Sequence, residues 1–236
     1  MDRFIRRPTK KHLESIFTWC PSYEADRILW HNRPSVGGVL TMKDGQEATA
    51  YLYYRKLSRY SVRVEFIEVN ETLRKNGIGT LLMDNAFRYF KDKGYKTVTT
   101  HCVTEAGEAH AKKIGFIPYE PEDYSRDRRC ETDIMMYHGL VEYQAARPVI
   151  ESDTIRFAVW RDSPSGSGAP DCCYDLDSEL PIIDYIHYDW YVGIMKGRDI
   201  LRKEKLKRFF KKELDGIYDG IVYITPQEIL DTIVQK

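Results

Sequence analysis

Val64-Glu65-Phe66-Ile67-Glu68-Val69-Asn70-Glu71-Thr72-Leu73-Arg74-Lys75-Asn76-Gly77-Ile78-Gly79-Thr80-Leu81-Leu82-Met83 decides the reading of this chain. An alternating apolar run enters a glycine-containing turn, and a helical period follows it. The first N–H groups of a helix have no acceptor within it, and the helix dipole adds partial positive charge there. Glycines let an anion approach those amides closely. Arg74 and Lys75 add full charges, and Thr80 adds a hydroxyl in the first turn. The spacing excludes two other phosphate loops. The Gly-x4-Gly-Lys-Ser/Thr pattern is absent, and position 82, where a dinucleotide fingerprint needs its third glycine, is Leu.

Working outward, Arg3–Arg7 reads as a short strand, and Thr9 caps a helix carrying Leu13, Ile16 and Phe17. Ala25–Trp30 suggests a second short helix. Val39–Met42 and Ala48–Arg55 flank Lys43-Asp44-Gly45, a strong hairpin turn. Ser61–Asn70 is the third strand of this meander. Ile78, Leu81, Leu82, Ala86, Phe87 and Phe90 mark one face of the helix from Gly77 to Lys93, and Gly94 suits its C-terminal stop. Lys96–Cys102 reads as a buried strand, Glu105–Ile114 as a helix ended by Gly115, and Phe116–Ile117 and Ile134–Tyr137 as strands. A meander followed by a β-α-β unit implies an α/β fold of mixed α+β type. Its sheet is mixed and mostly antiparallel, with helices on its faces.

Composition narrows the function class. The 236 residues carry 36 basic and 36 acidic side chains, with 42% hydrophobic content, so a folded protein without a global polyanion bias is expected. No run approaches a membrane span, and no signal-type h-region follows Met1. Five cysteines without metal-ligand spacing predict no metal site and reduced thiols, hence a cytoplasmic location. Vicinal Cys172-Cys173 could be a redox pair, but packing is the commoner role for such residues.

Arg-x-x-Gly-x-Gly between a strand ending in Val and an amphipathic helix resembles motif A of the GCN5-related N-acetyltransferase (GNAT) superfamily. Phe4–Thr9 with Leu13–Ile16 looks like the family's first strand and helix. Ala109–Phe116 looks like the Gly-Phe end of its motif B, and Met135–Tyr137 like the last strand. The resemblance covers about residues 3–140. It implies direct transfer of an acyl group, usually acetyl, from acyl-CoA to an amine in a ternary complex. Acetyl-CoA, or another acyl-CoA, is then the co-substrate. By the same resemblance, the amides of Lys75, Asn76, Gly77, Ile78, Gly79 and Thr80, with Arg74, would hold the pyrophosphate. The strand backbone at Ile67, Glu68 and Val69 would hold the pantetheine arm, with Thr104 beside it. The Lys96–Cys102 strand would splay from the Arg63–Val69 strand to admit that arm.

The chemistry needs a base for the ammonium and a donor for the departing thiolate. Glu65 is the first candidate base, sharing a strand face with Arg63, Ile67 and Val69 if alternation holds. Glu68, on the opposite face, is the fallback. Many family members place a tyrosine donor four residues before the glycine of the Gly-Phe pair. This sequence has Ala111 there, leaving His110 and Tyr119 as substitutes. Cys102 read as a nucleophile lacks a visible base. The mixed-charge loop from Tyr119 to Arg129 would line the acceptor side.

The first domain is expected over residues 1–145 and a small α+β domain over 150–236, with a flexible linker-like run at Ser163–Pro170. In the second, Thr154–Trp160 and Gly220–Thr225 read as strands and Pro226 opens a last helix. Tyr185–Met195 reads as one β-rich stretch, with Tyr185, Tyr188, Trp190 and Tyr191 as core or dimer interface. Arg202–Leu214 reads as an amphipathic basic helix, a solvated face or, over 202–212, a nucleic-acid contact. Three functions stay open. They are an N-acyltransferase on a small-molecule or peptide amine, a related enzyme modifying nucleic acid or a nucleotide, and a non-catalytic interaction or structural protein of the same fold.

Overall fold

A computed structural model describes residues 3–20, 37–118, 134–147, 154–161, 168–186, 189–210, 217–218 and 221–234. The chain divides into two compact units, Met1–Leu140 and Val141–Lys236.

The first unit is built on seven strands. They are β1 (Arg3–Ile5), β2 (Gly37–Asp44), β3 (Glu47–Lys56), β4 (Ser61–Val69), β5 (Thr97–Cys102), β6 (Ile117–Pro118) and β7 (Ile134–Gly139). Their order is β1-β2-β3-β4-β5-β7-β6, and β4–β5 is the parallel pair in an otherwise antiparallel sheet. That is the mixed, mostly antiparallel architecture expected from the sequence. Gly45 makes the β2–β3 turn with φ 59°. Helices are α1 (Lys10–Ile16), α2 (Ile78–Asp92) and α3 (Glu105–Lys113). Thr9 caps α1 in a capping box with His12.

The sheet carries a core on each face. On one, Leu82, Ala86 and Phe90 of α2 are fully buried against Leu40, Leu52, Val62 and Val98. The i, i+4 spacing of those three fixes the buried stripe. Leu81 departs from the expected face: it is 45% exposed, and Met83 is buried instead. On the other face, Leu13 and Ile16 of α1 pack on Tyr51 and Tyr53.

The second unit holds β8 (Ile155–Trp160), β9 (Cys172–Asp175), β10 (Ile182–Tyr185), β11 (Tyr191–Lys196), β12 (Asp199–Lys205), β13 (Ile217–Tyr218) and β14 (Ile221–Ile224). Helices α4 (Leu206–Phe209) and α5 (Pro226–Val234) complete it. One sheet runs β12-β11-β8-β9 and another β10-β14-β13, and Phe157, Ile182, Ile194, Leu206, Val222 and Ile229 share one core.

The basic helix expected at Arg202–Leu214 gives way to a strand and a single helical turn over the described residues. Asp199–Lys205 is a strand paired with β11, and only Leu206–Phe209 is helical; Lys211, Lys212 and Leu214 lie outside the described residues. Cross-strand pairing overrides the helix preference of Arg, Lys and Glu here. The basic side chains are spent separately. Arg202 donates to the carbonyls of Phe209 and Thr232 and lies 3.1 Å from Glu204. The Lys203 ammonium sits 3.8 Å from the Trp160 ring centroid. Lys205 and Lys207 both reach Asp189. Among the described residues no single basic helix face is therefore presented. Nor is Tyr185–Met195 one strand, because Tyr185 ends β10 and Tyr191 begins β11. Tyr188, the loop 119–129 and the Ala25–Trp30 helix lie outside the described residues.

Successive strand residues face opposite ways. Cys172 accordingly packs in one cluster and Cys173 in another, so the two buried thiols serve two layers. Burial, with Asp184 second, pushes the Cys172 thiol up to about 12. Among the described residues no helix is long and apolar enough to cross a membrane, and no His/Cys/Asp/Glu group could hold a metal.

Candidate active site

Two parallel strands diverge at the centre of the first unit. The β4–β5 ladder pairs Ser61 with Thr97 through Val64 with Thr100, and no later pair follows among the described residues. Beyond Val64 the β4 backbone has lost its neighbour on that side. The gap is a cleft of about 190 Å³, with Ile67, Glu68, Thr100, Cys102, Thr104 and His110 among its walls.

A bulge drives this geometry. Tyr53 pairs with Phe66 and Tyr54 with Val64, so Glu65 is the extra residue on β4. The face pattern then shifts by one. Val62 and Val64 share the α2-side core with Ile67 and Val69, while Phe66 packs on the α1 side beside Tyr53. The expected sharing of a face by Glu65, Ile67 and Val69 therefore fails, because alternation does not survive an inserted residue. Glu65 turns to Arg55, with Nε 2.9 Å from Oε1. The N–H does not point along that line, so the pair is an ion contact and not an aligned hydrogen bond. Arg55 follows Tyr53 by two positions and so shares its face. Glu68 pairs across from Tyr51 on that same side. Glu65 and Glu68 thus stand together, not on opposite faces.

The turn after β4 is built for an anion. Asn70 caps a short helical turn, Glu71–Leu73, by accepting from the Thr72 N–H. Arg74 folds back to donate from Nε to the Val69 carbonyl at 3.2 Å, with Nη2 3.4 Å from Glu68. Lys75 at φ 66° and Gly77 at φ 77° are both left-handed, which turns the chain sharply into α2. Gly77 is the helix cap and offers no side chain, so the Ile78, Gly79 and Thr80 amides have no helical or capping acceptor. Lys75, Asn76 and Gly77 are exposed, Gly79 and Thr80 half-buried, and the Ile78 side chain is anchored in the core. A Cβ on Gly79 would stand 3.4 Å from a Val69 methyl and 3.8 Å from His110 Nε2. The bare glycine therefore keeps the space between turn and cleft open.

Helix α3 forms the far wall. Thr104 caps it, its Oγ1 accepting from the Gly107 N–H at 3.1 Å. His110 is half-buried in the cleft wall and is no surface histidine. Burial first, then Lys113, lowers its pKa from 6.5, so the imidazole is neutral at pH 7. Ala111 is buried in the same wall and offers no ionisable group. Cys102 contacts the Met136 sulfur at 3.7 Å, and burial, with Glu108 second, pushes its thiol up to about 11. A thiol so held is a packing group and not a nucleophile at neutral pH. Tyr119 lies outside the described residues.

Residues 6–116 match the family model for the acetyltransferase (GNAT) family. This segment is similar to the GNAT family of acetyltransferases. Among solved structures, GNAT acetyltransferases resemble the chain. Ard1 from Thermoplasma volcanium is 21% identical, covering 60% of this chain and 99% of that one, with a TM-score of 0.47. An aminoglycoside 6′-N-acetyltransferase complexed with coenzyme A is 13% identical, covering 61% and 99%, with a TM-score of 0.49. A GNAT acetyltransferase from Elizabethkingia anophelis with acetyl-CoA bound is 19% identical, covering 59% and 97%, with a TM-score of 0.43. No curated protein matches the sequence. The GNAT family model ends at Phe116, so the second unit lies outside it. Within the GNAT segment, Arg55 is the residue that sequence reasoning missed. Its link to Glu65 depends on the bulge, and only the Tyr53–Phe66 register reveals that bulge.

Proposed function

We propose that the first unit transfers an acyl group, most simply acetyl, from acyl-CoA to an amine by direct attack in a ternary complex. The observation that carries this is the β4–β5 divergence after Val64 and Thr100, directly beside the unpaired first-turn amides of α2. A pantetheine arm is narrow and rich in amides, and the freed backbone of Ile67–Val69 supplies donors and acceptors for it. The pyrophosphate would rest on the amides from Lys75 to Thr80, with Arg74 and Lys75 adding charge.

In the reaction the acceptor's ammonium gives up a proton to Glu65, or through water to Glu68, both on the α1 side of β4. The free amine attacks the thioester carbonyl, and backbone N–H groups of β4 stabilise the oxygen as charge develops. The tetrahedral species expels the CoA thiolate, and the attacking nitrogen sheds its second proton to water as the neutral amide forms. Ala111 cannot protonate it. The neutral His110 imidazole can donate a hydrogen bond from its N–H, or relay a proton from water. Positioning supplies much of the remaining acceleration.

The test is release of free thiol from acetyl-CoA across a panel of small amines, peptides, nucleotides and tRNA. Stimulation by amines or peptides supports the proposal, whereas a panel with no stimulated release points to a non-catalytic CoA-binding role. The reading as a nucleic-acid modifier lost its motivating feature with the basic helix.

A further inference from the structure

The bulge on β4 sets two opposite charges side by side at the cleft. Tyr53 pairs with Phe66 and Tyr54 with Val64, which leaves Glu65 as the extra residue and turns its side chain to Arg55 on β3. Oε1 of Glu65 lies 2.9 Å from Nε of Arg55, and Glu65 lines the cleft. These two atoms are shut off from solvent and make no aligned hydrogen bond, so charge alone draws them together.

Each partner keeps an open end. The Arg55 side chain is 40% exposed and that of Glu65 25%. Among the described residues nothing hydrogen-bonds to the two terminal nitrogens of Arg55 or to the second oxygen of Glu65. The neighbouring charges are already engaged. Glu68 pairs with Arg74 at 3.4 Å, and Arg63, across from Arg55, has contacts of its own. The local unit is therefore one cation and one anion, neutral as a pair.

A neutral couple is matched by a ligand that carries the same two charges in reverse. A plain amine would meet Glu65 with its ammonium and be repelled by Arg55. An ammonium with a carboxylate one carbon away satisfies both. The ammonium faces the open oxygen of Glu65, and the carboxylate lies along the planar guanidinium fork. Nε and Oε1 are only 2.9 Å apart, so the ligand's two charges must be close together as well.

The reaction adds a second reason. When Glu65 takes the ammonium proton it becomes neutral, and Arg55 loses its counter-ion. A carboxylate on the acceptor supplies one at that moment. The nitrogen then bonds to the acyl carbon as the bond to sulfur breaks, its second proton goes to water, and the carboxylate is unchanged.

We infer that the Arg55–Glu65 pair selects a free α-amino acid as the acyl acceptor, with Arg55 gripping its carboxylate and Glu65 facing its ammonium. This rests on the acyl-transfer reading and names the acceptor class for the same cleft.

Thiol release from acetyl-CoA tests it, using the full chain and the common α-amino acids. Each amino acid is run beside its carboxamide, its decarboxylated amine and its dipeptide with a following glycine. For the side chain that responds, the free amino acid should have a kcat/KM about tenfold or more above the other three, as one charge-assisted pair supplies. Arg55→Met should bring the amino acid and its amide to near parity, chiefly by raising the KM of the amino acid. Arg55→Lys, which keeps the charge without the fork, should restore part of the preference. A purely structural role for Arg55 would slow both substrates alike, and an unchanged ratio in Arg55→Met overturns the inference. A preference for amides, amines or dipeptides overturns it too, while leaving acyl transfer standing. No release with any member of the panel overturns acyl transfer and the inference together.

Discussion

Val64 and Thr100 are the last paired residues of the parallel β4–β5 ladder, and the cleft begins where their pairing ends. Gly79 stands beside His110 of the cleft wall, and Glu65 at the bulge lines the same cleft.

A Cβ on Gly79 would meet Val69 and His110 at ordinary van der Waals distance, so a side chain fits there and fills the space between turn and cleft. Gly79→Leu should raise the acetyl-CoA dissociation constant about tenfold or more, since the side chain enters the path to the first-turn amides. Leucine is a better helix former than glycine, so thermal stability should hold or rise. Calorimetry paired with a melting curve checks both. Unchanged affinity places the phosphates elsewhere.

Glu65 is held by Arg55 at the bulge. Glu65→Gln should lower kcat by about 10²–10⁴-fold, the usual contribution of a general base, with little change in the KM for acetyl-CoA. Steady-state kinetics against a responsive amine measures it. A wild-type rate moves the proton transfer to Glu68 or to water, and Glu68→Gln then becomes the informative variant.

How much of this was readable from residues alone differs by element. The helix α2, its glycine turn and its stop at Gly94 are local features, and periodicity with φ requirements reports them directly. The divergence of β4 and β5 followed only from family resemblance. The Glu65 bulge is a property of two strands in register, and a single strand's alternation cannot reveal it. The β12 strand was hidden by Arg202, Lys203, Glu204 and Lys205, all good helix formers, and its pairing with Val192 and Ile194 decided the outcome. The turn glycine Gly197, at φ 59°, was the available signal for that hairpin.

His110 has a depressed pKa in the folded chain, caused first by burial and then by Lys113. The unfolded chain binds the proton more readily. The stabilising contribution is therefore complete above pH 6.5 and is lost as pH falls through the lower folded value. His12, lowered by burial and Lys43, acts in the same direction. His110→Gln should flatten the loss of stability below pH 6.5 in denaturant titrations, leaving the His12 part. An unchanged slope would mean that His110 is solvated.

Cys102 is packed against Met136 with its thiol pushed up to about 11. Cys102→Ala should retain most transfer activity, and iodoacetamide should modify Cys102 slowly at neutral pH. Mass spectrometry after incubation with acetyl-CoA should find no acyl group on it. An acyl-Cys102 adduct formed at the turnover rate would replace direct attack with a covalent route.

The most direct test of acyl-CoA recognition at this turn is calorimetric titration of acetyl-CoA into the full chain and into Arg74→Ala with Gly77→Asp. The first change removes the tether to the Val69 carbonyl, and the second puts a carboxylate at the mouth of the α2 amides. A single site of micromolar strength is expected in the natural chain, with no measurable heat in the double variant at matched thermal stability. Equal binding by both proteins, or none by the natural chain at millimolar acetyl-CoA, would contradict it.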